Sequence, residues 1–224
     1  MVYHGGAREY EKNMMDFSFS ANPYRPPFLK DAIRDSDFFS YPYCDSLENK
    51  IKERLKIDGS VVVGAGITEL LYMVGFAFKN KRAIIPKYTY GEYERIANLF
   101  SMKKILVNKM DPEVKDLVKE GDVLFFCNPN NPTGKYMDTK DLFDVTESKG
   151  ITVILDESFI DFSDRKPNYY NDNVIVLRSF TKPFGVPGIR VGYAFGRDEI
   201  IERMKIFRSP WSIGSLGCSF AHYA

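Results

Sequence analysis

The chain has 224 residues, 31 basic against 30 acidic side chains, a formal net charge of +1 and 44% hydrophobic residues. A chain this long can build one ordinary α/β domain, or two small ones, without disulfides or a structural metal, and so even a charge balance argues against nucleic-acid binding through bulk electrostatics. Charged residues at 27% and aromatics at 15% exclude a disordered chain.

In chain order, residues 1–45 come first, rich in Pro, Tyr, Asn and Ser (Asn22-Pro-Tyr-Arg-Pro-Pro, then Tyr41-Pro-Tyr). They predict an extended arm lying over the rest. The opening Met1-Val-Tyr-His-Gly-Gly has no basic region followed by an apolar run, so no secretory signal is expected. A helix is predicted over Leu47 to Leu55, with Ser46 or Asp45 as N-cap and Leu47, Ile51 and Leu55 on one face.

Apolar runs of strand length then alternate with helical segments. The runs are Val61–Val63, Ala83–Ile85, Ile105–Val107, Val123–Phe126, Thr152–Leu155 and Val174–Leu177; the helices are Thr68 to Phe78, Glu92 to Phe100, Pro112 to Lys119 and Asp138 to Ser148. Continuous rather than alternating apolarity means burial on both faces, so the succession predicts a mostly parallel sheet between two helical layers, an α/β fold occupying residues 46–224. Leu70 to Phe78 is the longest apolar stretch, and with Gly75 inside it is far too short to span a bilayer. Near the end Pro210-Trp211-Ser212 predicts a helix start with Ser212 as N-cap, and the chain then stops at Ala224 without a Gly, a Pro or a terminal basic turn, as if cut inside an element.

Cys44, Cys127 and Cys218 stand far apart in sequence, and only His4 and His222 are available to help ligate a metal. No metal site is expected, and the odd, sparse cysteine count suits a reducing, cytoplasmic setting.

Ligands of an open parallel sheet bind beyond the carboxyl ends of its strands. After Val63 comes Gly64-Ala65-Gly66-Ile67-Thr68-Glu69, a turn that opens a helix and can hold phosphate on backbone N–H groups. Glu69 stands where a dinucleotide fingerprint needs its third Gly, and Gly134-Lys135 is followed by Tyr136, so neither an NAD fingerprint nor a Walker loop is present. After Phe126, Cys127-Asn-Pro-Asn-Asn-Pro-Thr-Gly134 has two Asn-Pro steps that fix the Asn131 amide. After Leu155, Asp156 is a strand-end carboxylate that needs a cation or several donors; on the residues alone an N-cap or a structural ion pair is the favoured explanation. After Leu177, Ser179-Phe-Thr-Lys182 places a lysine between hydroxyls with Arg190 eight residues on, the makings of an imine-forming amine beside an anion site.

In this order the motifs Asn-Pro-x-Asn-Pro-Thr-Gly, Asp-Glu-x-Phe, Ser-x-Thr-Lys and Pro-Gly-x-Arg-x-Gly-Tyr make a sequence that resembles the fold-type-I pyridoxal-phosphate enzymes. It is most similar to the class I/II aminotransferases around histidinol-phosphate aminotransferase and threonine-phosphate decarboxylase. The resemblance implies a three-layer large domain, pyridoxal 5'-phosphate as cofactor, a small-molecule amino acid or phosphorylated amine as substrate, and a homodimer. It implies that Lys182 carries the cofactor and moves the substrate proton, with Asp156 pairing the pyridinium nitrogen. It implies further that Asn131 bonds the phenolic oxygen and Tyr90 stacks on the ring. The phosphate would be held by the Ile67 and Thr68 backbone, Ser179, Thr181 and Arg190.

Tyr41 resembles the tyrosine that reaches the neighbouring subunit's phosphate, and Asn22, on an arm that closes over substrate, is the candidate substrate contact. Phe159 departs from the Tyr usual there and, with the opening His4-Gly5-Gly6, leans toward the decarboxylase branch. The family also continues into a small C-terminal domain bearing the arginine for the substrate carboxylate, which the resemblance places beyond Ala224; Arg197, Arg203 and Arg208 lie in the wrong segment to replace it. Three readings therefore stay open: an aminotransferase, a threonine-phosphate decarboxylase, and a shortened, non-catalytic cofactor-binding domain.

Overall fold

The structure is a computed structural model that describes residues 5–6, 15–108, 113–164 and 170–224. His4 and Pro112 lie outside the described residues.

Seven strands form one sheet: β1 (Ser60–Gly64), β2 (Arg82–Pro86), β3 (Lys103–Val107), β4 (Val123–Cys127), β5 (Thr152–Asp156), β6 (Val174–Ser179) and β7 (Gly192–Gly196), in the spatial order β1-β7-β6-β5-β4-β2-β3. The six apolar runs became β1 to β6, and β2 to β6 are parallel. The sequence reading missed β7, which inserts between β1 and β6 and runs antiparallel to both. Its reversal matters for function, because β7 starts at the edge of the sheet where β1 and β6 finish.

The helices are α1 (Leu29–Arg34), α2 (Asp45–Leu55), α3 (Gly66–Ala77), α4 (Glu92–Leu99), α5 (Glu113–Leu117), α6 (Lys140–Ser148), α7 (Asp198–Lys205) and α8 (Ser215–Tyr223). Side chains alternate along the strands, so Phe125, Ile154 and Ile175 face α3, α4 and α7 while Leu124, Phe126, Val153 and Leu155 pack with Leu142 and Phe143 of α6. A third apolar cluster joins Ala32 of α1, Leu47 and Ile51 of α2 and Phe220 of α8 to Val61, Val63 and Tyr193 of the sheet. These are the expected three layers. Among the described residues no helix is long and apolar enough to cross a membrane.

Three local expectations need correction. The stretch before residue 46 is not wholly extended, since α1 lies within it and α2 begins at Asp45 after Cys44, with no side-chain cap from Ser46 or Asp45. The last helix begins at Ser215, behind Gly214, because Trp211 takes a left-handed φ of 52° that delays it; Ser212, the expected cap, buries its hydroxyl without a hydrogen-bond partner. Both Asn-Pro steps, Asn128-Pro129 and Asn131-Pro132, are cis.

Edge strand β1 is held by a buried carboxylate. Glu48 of α2 accepts the Val63 N–H at 3.0 Å and pairs with Arg208 at 2.5 Å and Lys205 at 3.3 Å. Removing it strands a buried N–H and leaves Arg208 without its carboxylate, while Lys205 keeps Glu202 at 2.9 Å, so Glu48→Ala should cost about 3 kcal/mol in urea unfolding, well above an exposed surface pair.

Candidate active site

The carboxyl ends of β1, β4, β5 and β6 and the start of β7 meet at one sheet edge, in a cavity of about 670 Å³. Register brings the parts together: Gly192 is opposite Gly64 on one side and Ser179 on the other, and Asp156 lies beside Cys127 and Leu177. Ile67, Thr68, Tyr90, Asn131, Asp156, Ser179, Thr181, Lys182 and Arg190 all line this cavity.

At one end stands an anion cradle. Helix α3 opens behind Ala65, whose N–H donates to Glu69 Oε2 at 2.5 Å, and Ile67 and Thr68 of its first turn line the cavity at the positive end of the helix dipole. Ser179 and Thr181 hydroxyls lie 2.7 Å apart, and the Thr181 N–H donates to Ser179 Oγ at 3.1 Å. Arg190, at φ 51°, donates to the Pro187 carbonyl at 3.2 Å and has no ion-pair partner among the described residues. Its guanidinium passes so close to the loop after β1 that a Cβ on Gly66 would sit 2.5 Å from Nη2. Only glycine, at φ +75°, fits there.

Asp156, 3% exposed, sits at the far end. Its Oδ2 accepts from Tyr93 Oη at 2.7 Å, and Oδ1 accepts from the Ser158 N–H at 2.9 Å and Ser158 Oγ at 2.6 Å. Burial pushes its pKa above the ordinary value, against the pull of those hydrogen bonds. The adjacent Glu157 is the contrast: Arg178 pairs it at 2.8 Å and Tyr170 donates to it at 2.7 Å. Asp156 has no such cation among the described residues, so it is neither an N-cap nor a structural ion pair. The donor set matches a ligand that brings its own cationic N–H.

Lys182 lies between the two ends. Burial lowers its pKa, the nearby Arg190 charge lowers it further, and Asp156 opposes both, so the amine is more often neutral and nucleophilic than a surface lysine. Its Nζ is 5.7 Å from the centre of the Phe159 ring. The loop carrying it is pinned by the arm: the Asn22 N–H donates to the Lys182 carbonyl at 2.9 Å and the Asn22 amide to the Pro183 carbonyl at 2.8 Å. Tyr90 packs edge-on against Tyr93 at 5.6 Å, and burial pushes its hydroxyl up to about 12.

Two expected residues lie elsewhere. Asn22 is not a cavity residue, because its side chain is taken by Pro183 and by the Tyr24 N–H, so in this chain it positions the lysine loop. Tyr41 is exposed and stacks on Trp211 at 4.3 Å, away from its own chain's cavity. Arg203 and Arg208 are engaged with the Ala77 carbonyl and Glu48, and Arg197 with Glu199.

Tyr93 and Ser158 were missed by the sequence reading, although each carried a signal: Tyr93 is one helical turn past Tyr90, and Ser158 is placed to bond back to Asp156. Gly5, Gly6 and Ser18 also line the cavity, joined by the Gly6 N–H to Ser18 Oγ at 2.8 Å.

The family model of aminotransferase class I and II matches residues 12–224. A Caldanaerobacter subterraneus protein provisionally named threonine-phosphate decarboxylase is 32% identical over 95% of this chain, which spans 64% of that relative. The structure of histidinol-phosphate aminotransferase from Clostridium acetobutylicum superposes with a TM-score of 0.79 at 26% identity, covering 93% of this chain and 68% of that one. That of the Sinorhizobium meliloti enzyme, solved in complex with pyridoxal-5'-phosphate, gives 0.75 at 17% identity and shares the fold, with 90% of this chain matching 61% of it. With the match running over nearly every residue, the chain belongs to the aminotransferase class I and II family, whose members depend on pyridoxal phosphate.

Proposed function

We propose that this chain is the cofactor-binding part of a pyridoxal-phosphate-dependent aminotransferase that moves an amino group between an amino acid or phosphorylated amine and a 2-oxo acid or phosphorylated ketone. The observation that carries this is the buried, cation-free Asp156 and the anion cradle facing each other across Lys182. When bound, the cofactor supplies a carbonyl for imine exchange and a ring that accepts the electrons released at the substrate's Cα. Asp156, held by Tyr93 and Ser158, keeps a proton on the ring nitrogen. Ile67 and Thr68 N–H groups, the Ser179 and Thr181 hydroxyls and Arg190 fix the phosphate. Tyr90 would pack on the ring and Asn131 would donate to its phenolic oxygen. The Lys182 amine, whose pKa burial lowers, would hold the cofactor and serve as the base that moves the proton at Cα.

Tyr41 lies outside its own cavity, as a residue serving the second subunit of a homodimer must. Phe159 has no hydroxyl to offer the phenolic oxygen, and Gly5 and Gly6 close the cavity. These support decarboxylation of a phosphorylated amino acid as the second reading. The sparse cysteines support a cytoplasmic setting under both readings.

The test is to supply pyridoxal phosphate and candidate substrates and to follow carbon dioxide release against amino transfer to 2-oxoglutarate. Carbon dioxide without amino transfer overturns the first reading, and a protein that takes up no cofactor overturns both. A second expectation concerns the cradle. Gly66→Ala must move the Arg190 guanidinium, so affinity for pyridoxal phosphate should fall about tenfold or more in a titration, the loss expected for one charge-assisted hydrogen bond.

A further inference from the structure

Two of the three cysteines, widely spaced in sequence, meet in the fold. Cys44 and Cys218, 174 positions apart, bring their Sγ atoms within 3.9 Å, while Cys127 is buried elsewhere with its thiol donating to the Pro129 carbonyl. We propose that Cys44 and Cys218 form a redox modification site, a dithiol that a small-molecule disulfide converts into an intramolecular link between the foot of α2 and α8.

The geometry favours closure within one molecule. Cys44 is the residue just before α2, and Cys218 sits in the first half of α8. Contacts independent of sulfur already hold the two sides: Lys50 of α2 donates to the His222 carbonyl of α8, and Leu47 and Ile51 share an apolar cluster with Phe220. Joining the two sulfurs needs about 2 Å of approach between side chains that already touch.

The sulfurs are also unequal. Cys218 is half-buried and its thiol is pulled below the ordinary value by a hydrogen bond from Cys44, against a smaller opposing effect of burial. Cys44 is 7% exposed and pushed upward by the same bond and by burial. Cys218 is thus the attacking thiol and Cys44 the resolving one. The Cys218 thiolate attacks one sulfur of the small disulfide, forming a mixed disulfide and expelling one thiolate, which takes up the proton Cys218 lost. The Cys44 thiol then loses its proton and attacks the Cys218 sulfur, expelling the second small thiol. Two protein thiols are oxidised and one disulfide is reduced to two thiols.

The experiment incubates the reduced chain with oxidised glutathione, quenches with acid, alkylates under denaturing conditions and maps the peptides by mass. The expected result is loss of two of the three thiols, a peptide pair joining Cys44 to Cys218, an alkylated Cys127, and full reversal by a dithiol. Cys127→Ser should keep the link and Cys218→Ser should abolish it. A bridge through Cys127, a link between two chains, or stable glutathione adducts on Cys44 or Cys218 without closure would overturn the proposal. The wild-type map decides the question even if a serine variant fails to fold.

Discussion

Lys182→Ala should abolish covalent attachment of pyridoxal phosphate, so that sodium borohydride no longer fixes the chromophore to the chain, and should reduce any turnover by about 10³-fold, the range lost with an essential proton-transfer group. The structure makes the variant informative, because the residues assigned to hold the cofactor noncovalently are not carried by Lys182. The first turn of α3, the Ser179–Thr181 pair, Arg190 and Asp156 are all untouched by the substitution. Binding should therefore persist, readable by quenching of protein fluorescence, while the borohydride-stable adduct disappears. The loop itself is pinned through its backbone, by Asn22 to the Lys182 carbonyl, so truncating the side chain leaves its position intact. A variant that keeps a borohydride-stable adduct would show that another amine is the anchor.

Asp156→Asn should have effects of opposite sign on the empty and the loaded protein. The folded-state pKa of Asp156 is raised by burial above its ordinary value of 3.8. Between those two values the folded chain binds more protons than the unfolded one, so stability is fully present below the ordinary value and is lost as pH rises through the folded one. Removing the charge removes that loss. Without cofactor, Asp156→Asn should unfold at equal or higher temperature than the parent at pH 7, with the difference shrinking toward pH 4. With cofactor the order reverses, because an amide cannot balance a cationic ring nitrogen. Affinity should fall about 10²- to 10³-fold, the cost of breaking a buried ion pair from one side. Thermal melts across pH, with and without pyridoxal phosphate, check both signs in one series; a variant that binds as tightly as the parent refutes the pairing.

Most of the sheet was legible because its strands are buried on both faces and so read as unbroken apolar runs. β7 was not, for a local reason: Gly192-Tyr-Ala-Phe-Gly196 is short and framed by glycines, which on sequence alone mark a turn. α7 carried a usable signal, with Ile201 and Met204 buried three apart between acidic and basic ends, yet it follows directly on the densest motif of the chain. α1, six residues after two prolines, falls below the length at which periodicity speaks.

The residues that face the cavity were found through their place after strands, and Lys182, Asp156 and Arg190 converge as the motifs suggested. What spacing cannot carry is contact across the fold. The approach of Cys44 to Cys218, and the turning of Asn22 onto Pro183 instead of into the cavity, depend on where separate elements dock.

The reversed strand has one more consequence. Because β7 enters at the edge where β1 and β6 leave, the anion cradle is assembled from residues 66 to 68, 179 to 181 and 190, which share no local segment. No fragment of the chain holds it; the edge strand must already be seated for Arg190 to lie over Gly66. A phosphate bound there ties edge strand β1, through β7, to the interior strand β6, so that loading and the seating of that edge stabilise one another.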